Sequence, residues 1–394
     1  MDTYSLYLHI PFCRHRCCYC DFNTYAGQEN LIPAYVDSLC REIELVAGAA
    51  GARLPVHTVF FGGGTPSLLP PQEFKRVIRA IKRHFSLQPD TEITLEANPS
   101  TLSLEYLVRV LRVGINRISL GMQSANPDEL RLLERLHGFE DVIGAVRWAR
   151  KAGFVNLNLD LIFGLPNQTL SSWQQNLQRA VDLSPEHLSL YALTLEHGTP
   201  MESWVAKGLI SEPEADLAAQ MYEWACDFLA GNGFKQYEIS NWALRRGEDR
   251  DLRCRHNLQY WQNLPYLGLG AGGHGFAAGV RTVNVLSPAA YIQRCQTGAA
   301  GKFPRTPATS SINPVDLQTE IGETMMMGLR LTQEGISRSA FANRFGLDLE
   351  EVYENEIAEL ISLGLLEWGG EDHEHLRLTP HGRLLGNQVF MRFI

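Results

Sequence analysis

Four cysteines fall within eight residues near the amino terminus, in Cys13-Arg14-His15-Arg16-Cys17-Cys18-Tyr19-Cys20. Thiolates are soft ligands and select iron–sulfur or zinc sites over hard cations. Cys13, Cys17 and Cys20 read as three ligands of an iron–sulfur cluster. Each iron of a four-iron cluster normally takes one cysteine. Three protein thiolates leave one iron open, and an open metal position is where chemistry occurs. Cys18 breaks the spacing and reads as a bystander. A structural zinc site is the competing reading; zinc usually takes a second paired set, and no second cysteine pair follows. Cys40, Cys226, Cys254 and Cys295 are scattered singly, as suits a reducing compartment, so disulfides are disfavoured.

Further polar residues stand at the ends of apolar runs. Gly62-Gly63-Gly64-Thr65-Pro66 follows one run; glycines there let a backbone approach a ligand, or simply make a tight turn. Glu96 ends another run. Gln123 follows a third, with Arg135 beyond it. Asp160 lies inside Asn158–Phe163, where a buried carboxylate needs a donor or a charge partner. Glu96 and Asp160 could equally be satisfied by nearby amides, and Arg135 could be a surface helix charge.

The elements that must position these groups alternate. Strands are expected at Ser5–Ile10, His57–Phe61, Glu92–Glu96, Arg117–Leu120, Asn156–Ile162 and His187–Leu193. Helical faces separate them: Val36, Leu39, Ile43 and Val46; then Phe74, Val77, Ile78 and Ile81; then Leu104, Leu107, Val108 and Leu111; and three more to Phe228. Six strand–helix units in succession argue a parallel α/β fold with right-handed crossovers. Periodicity alone does not separate an open barrel from a doubly wound sheet. Ligands in such folds sit at the carboxyl ends of the strands, where the residues above fall.

From about Phe234 the pattern turns irregular. The segment Pro288 to Pro314, with four prolines, reads as a linker. Helices are then expected at 320–329, 337–344 and 349–363, with two short strands around a polar turn and a last helix from Pro380. That arrangement is mostly helical and winged-helix-like. The expected division is 1–235, 236–300 and 301–394.

The chain has 394 residues, 45% of them apolar and 20% charged, and a net charge of −9. No general basic surface recommends nucleic acid as a partner. No signal peptide and no run of roughly 18 apolar residues is seen, so a cytoplasmic protein without a membrane span is the expectation, with peripheral association left open.

The ordered words Tyr7-Leu-His-Ile-Pro-Phe-Cys13, Cys-x3-Cys-x2-Cys and Cys20-Asp-Phe22 resemble the radical S-adenosylmethionine (SAM) superfamily. Within it they are similar to the branch that holds oxygen-independent coproporphyrinogen III oxidases and the HemW-type heme chaperones. The resemblance implies a partial (βα)6 TIM-like barrel, a [4Fe-4S] cluster and SAM chelated at its open iron. It further implies one-electron cleavage of the sulfonium and an electron donor protein. By the same match Tyr7, Tyr19, Gly63, Gly64, Thr65, Glu96, Gln123, Arg135 and Asp160 line SAM. Tyr7 could also be a core aromatic, and Tyr19 could shield the cluster.

The oxidases carry a further cysteine two residues past the third ligand, whereas Phe22 stands here, as in HemW-like proteins. The word His256-Asn257-x-x-Tyr260-Trp261 is also found in that group. A neutral imidazole is a good axial ligand for heme, and aromatics suit a porphyrin face. His256, Asn257, Tyr260 and Trp261 are therefore heme candidates, with Cys254 a second possible ligand and His274 a weaker one. A hydrogen-bonded core histidine is the plainer reading of His256. The resemblance implies a heme chaperone that serves an acceptor protein, with an oxygen-independent coproporphyrinogen III oxidase as the alternative. A radical enzyme that alters heme itself is a third option.

Overall fold

Six parallel strands run in chain order: β1 (Tyr4–Ile10), β2 (Pro55–Gly63), β3 (Ser86–Ala97), β4 (Arg117–Gln123), β5 (Leu157–Phe163) and β6 (His187–Ala192). They belong to a computed structural model that describes residues 3–245, 251–299 and 301–394. A helix follows each of the first five strands and packs its apolar stripe inward, which is the parallel α/β arrangement the strand–helix alternation predicts. Val36, Leu39, Ile43 and Val46 of helix Ile32–Ala49 are fully buried. Each contributes about 1.5–3 kcal/mol relative to an exposed side chain. The helix Leu104–Val113 buries Leu107 and Val110, so its inner face is turned slightly from the expected set. Its ends are set locally: the Ser103 side chain accepts from Tyr106 N, and Gly114 takes φ 114°, which a side chain would resist.

The chain divides into two compact units, Met1–Phe228 with Pro265–Pro314, and Leu229–Leu264 with Val315–Ile394. The stretch 236–300, read above as one connecting region, thus falls in both.

Within the first unit, strand Tyr266–Leu269 pairs parallel with the free side of β1. Strands His274–Ala277, Val280–Asn284 and Thr309–Pro314 follow it antiparallel. The glycine-rich run Gly268–Gly275 is therefore half strand, half turn. A Cβ on Gly268 would meet the His274 carbonyl oxygen at 1.8 Å, so glycine is needed where the turn folds back. Nor is 288–314 a structureless linker. It holds helix Pro288–Thr297, capped by Ser287, and the edge strand. Proline at a first helical position hid that helix, because it is tolerated there yet reads as a breaker. Its buried residues are Pro288, Tyr291 and Cys295, too few to make a periodic stripe.

The second unit contains the hairpin Phe234–Glu238/Asn241–Leu244, helix Arg255–Trp261, and helices Leu317–Gly328, Arg338–Phe345 and Leu349–Ser362. A three-stranded antiparallel sheet, Ile336–Ser337, His375–Leu378 and Leu366–Gly369, closes it as a wing. Met325, Leu329, Leu376 and Leu378 form the centre of its core. Among the described residues no helix is long and apolar enough to cross a membrane.

Candidate functional site

The cysteine loop leaves β1 at Pro11 and is closed on itself at once. Phe12-Cys13 pairs with Tyr25-Ala26, and Tyr25 N donates to Pro11 O at 2.7 Å. The loop after β2 is stitched to it: Gly64 N donates to Ile10 O at 2.9 Å and Thr65 N to Phe12 O at 2.8 Å. Thr65 Oγ1 reaches the Cys13 sulfur at 3.5 Å. Cys13, Cys17 and Cys20 all line one cavity of about 370 Å³ at the carboxyl ends of the strands. Small-molecule sites span roughly 300–1,000 Å³.

Cys18 turns the other way. It is fully buried against Leu133, Ile162 and Met201, and its thiol donates to Leu132 O at 3.2 Å. Burial first, then Glu134 and Cys17, push that thiol up to about 12. Among the described residues no group of three or more His, Cys, Asp or Glu is placed to hold a single metal ion.

Eight of the nine residues expected around SAM line the same cavity: Tyr19, Gly63, Gly64, Thr65, Glu96, Gln123, Arg135 and Asp160. Tyr7 does not. Its ring stacks on Phe60 and its hydroxyl is hydrogen-bonded to His9 Nδ1 at 3.1 Å. Arg135 donates to the Cys17 sulfur and to Gly121 O. Burial opposes its charge, but Tyr19 and Cys17 beside it outweigh that and raise its pKa. Gln123 ends β4 with φ 63°, a left-handed conformation that side chains resist, and strain of this kind gathers at functional sites.

Two carboxyls lie deeper. Glu96 Oε2 accepts from Gly63 N at 3.2 Å. Burial and then Asp160 push Glu96 up to about 8. Asp160 is the one residue of β5 left partly open within an otherwise buried strand. Ser119 Oγ donates to it at 2.9 Å and Asn158 Nδ2 at 2.7 Å. Burial raises Asp160, and these bonds oppose the rise.

The sequence reading missed the rest of the lining. Ser119, Asn98 and the segment Tyr191–Thr194 at the end of β6 face the cavity. The strand-end rule alone points to that segment. At the rim stand three exposed large side chains: Phe22 at 62%, Leu136 at 60% and Tyr191 at 43% exposure. Arg14 and Arg16 share the rim.

The heme candidates of 254–261 lie in the second unit, on and just before helix Arg255–Trp261. His256 is 1% exposed, and its Nε2 is hydrogen-bonded to the Tyr260 hydroxyl, one turn on, at 2.9 Å. Cys254 is fully buried, and its N–H donates to the Tyr237 hydroxyl. Asn257 and Tyr260 are partly exposed, and Trp261 carries the Arg330 guanidinium over its ring at 4.4 Å. His274 is exposed on the first unit.

A family model described as the radical SAM superfamily matches residues 7–180, and one described as the HemN C-terminal domain matches 315–385. The chain is 37% identical to the heme chaperone HemW of Bacillus subtilis (strain 168), covering 99% of both chains. It is 34% identical to the heme chaperone HemW of Escherichia coli (strain K12), covering 99% of this chain and 98% of that one. The chain belongs to the radical SAM superfamily, in its HemN/HemW branch. A mitochondrial protein of Bos taurus, radical S-adenosyl methionine domain-containing protein 1, is 35% identical over 96% of this chain and 84% of its own. The solved structure of coproporphyrinogen III oxidase (HemN) from Escherichia coli aligns with a TM-score of 0.81 and 24% identity, covering 100% of this chain and 90% of that one. That likeness extends the fold over the whole chain.

Membership in this superfamily implies an iron–sulfur cluster and SAM, and the cavity's chemistry fits both. Three thiols, a buried guanidinium bonded to one of them, glycine amides and two carboxyls face one space.

Proposed function

We propose that the chain is a heme chaperone. It binds heme, carries a [4Fe-4S] cluster on Cys13, Cys17 and Cys20 with exchangeable SAM, and passes heme to an acceptor protein. The heme-chaperone relatives, similar over nearly the full length, support this reading. The observation that carries it is Phe22. Where the oxidases of the resemblance have a further cysteine, this chain sets a phenyl ring on the cavity rim. Phe22, Leu136 and Tyr191 beside Arg14 and Arg16 offer apolar surface next to cations. That combination suits a flat, carboxylate-bearing macrocycle such as heme.

The cluster would supply one-electron reduction of SAM, fed by an electron donor protein. Around it, the Arg135 guanidinium would hold charge on the Cys17 sulfur. Glu96 and Asp160 would accept from amino and hydroxyl groups. Gly63, Gly64, Thr65, Tyr19 and Gln123 would close the walls, with Tyr7 behind them. The heme candidates His256, Asn257, Tyr260 and Trp261, with Cys254 the second ligand in line, belong to the second unit and would form a heme-iron site of their own once Tyr260 releases Nε2.

The test is anaerobic. Reconstituted protein is offered hemin, and separately coproporphyrinogen III with SAM and dithionite. The chaperone reading expects stoichiometric hemin binding and no decarboxylated product. Turnover of coproporphyrinogen III at enzyme-like rates would replace it with the oxidase reading.

A further inference from the structure

Asn23 lies three residues past Cys20 and joins three separate parts of the first unit. Its Nδ2 donates to Ala271 O at 3.2 Å and to Leu286 O at 3.0 Å. Its own carbonyl accepts from His9 Nε2, near the end of β1, at 2.9 Å. The receiving turn makes room for it. Gly272 takes φ 77°, and a Cβ there would stand 2.5 Å from Asn23 Nδ2.

That turn is fixed from behind by a buried carboxylate. Glu42, on helix Ile32–Ala49, is 0% exposed. It accepts from Gly270 N at 2.8 Å, Tyr291 Oη at 2.7 Å, Asn284 Nδ2 at 2.8 Å and Thr306 Oγ1 at 2.8 Å. Tyr35 adds a bridge, donating to His9 O and accepting from Ala271 N, both at 2.7 Å. Fully satisfied buried networks of this kind are rigid and hold one geometry. The Ala271 carbonyl is thereby presented to Asn23 from a fixed base.

The three cavity thiols have different supports. Cys13 has the strand pair and Thr65; Cys17 has Arg135. Among the described residues Cys20 is bonded only within its own loop, its N–H donating to Cys17 O at 3.1 Å and its carbonyl accepting from Arg16 Nη2 at 3.2 Å, and the first bonds past it that reach outside the loop are those of Asn23. We propose that Asn23 is a positioning residue for the cluster, a clasp that fixes the Cys20 end of the ligand loop against the Gly270–Leu286 turn. This rests on the cluster reading.

The test uses the full chain. In Asn23→Ala, the ferrous chelator bathophenanthroline should remove iron from the anaerobically reconstituted protein about tenfold faster or more. The electron paramagnetic resonance line shape of the reduced cluster should also change, while the metal-free protein still unfolds in one cooperative transition. In that metal-free protein, iodoacetamide should label Cys20 faster while Cys13 labelling stays as in wild type. Gly272→Ala, which pushes the amide out from the other side, should reproduce the pattern if Asn23→Ala folds poorly. Wild-type chelation rates and line shape in the folded variants would overturn the clasp. If wild-type protein takes up no cluster, the cluster reading fails, and unchanged Cys20 labelling would separately sink the clasp.

Discussion

Arg135 Nη1 lies 3.6 Å from the Cys17 sulfur, while Nη2 of the same guanidinium donates to Gly121 O at 3.0 Å. One planar cation thus links the cysteine loop to the end of β4. Removing it should lower both cluster retention and SAM affinity. Charge-assisted hydrogen bonds contribute about 1.5–3 kcal/mol, so Arg135→Ala should weaken SAM binding roughly 10- to 150-fold. Arg135→Lys should rescue little, because an ammonium does not reproduce the fork. Equilibrium binding on iron-replete protein checks this; full rescue by lysine would contradict it.

Glu96 gives a pH prediction. In the free cavity its carboxyl is held protonated until about pH 8. A bound ammonium group would favour the carboxylate, so SAM affinity should rise as pH increases towards 8 and level off above it. Glu96→Gln should flatten that profile. The stability effect has the opposite sign. The folded pKa lies above the ordinary 4.5, so this group's contribution is complete below 4.5 and is lost as pH rises through about 8. Urea titrations of wild type and Glu96→Gln across that window measure it, and parallel pH profiles for the two would count against the assignment.

His256 is closed in by Tyr260. If its imidazole takes heme iron, the hydrogen bond must open first. Tyr260→Phe should then tighten hemin binding by roughly 2- to 10-fold, the net worth of one such bond, about 0.5–1.5 kcal/mol. His256→Ala should weaken binding or shift the Soret band. An unchanged titration in His256→Ala would move the ligand to Cys254 or His274.

The rim is separable from iron ligation. Phe22 and Leu136 are exposed, so replacing both by Ser should leave stability within about 0.5 kcal/mol. Covering each is worth about 1.5–3 kcal/mol, so affinity for metal-free protoporphyrin should fall at least roughly tenfold. Fluorescence titration reads this directly. Unchanged affinity would remove the macrocycle from the rim.

Much of this was legible in the residues. Cys13, Cys17 and Cys20 carry their spacing in plain view. Asp160 interrupts an apolar strand, and a lone carboxylate there demands partners. The six barrel strands show because apolar runs alternate with amphipathic faces. Strand Tyr266–Leu269 did not show, because the four residues Tyr-Leu-Gly-Leu give no polar–apolar alternation and its partner, β1, lies more than 250 residues earlier. The rim was hidden for a different reason: an exposed Phe22 or Tyr191 leaves no periodic mark. Asn23 and Glu42 act through contacts across the unit, which local pattern does not encode.

The most direct measurement is metal and sulfide analysis of anaerobically reconstituted protein, followed by electron paramagnetic resonance of the reduced state with and without SAM. The account predicts about four irons and four sulfides per chain, a signal changed by SAM, and loss of the cluster in Cys13→Ala, Cys17→Ala or Cys20→Ala but not in Cys18→Ala. Zinc in place of iron, or equal loss in Cys18→Ala, would contradict it.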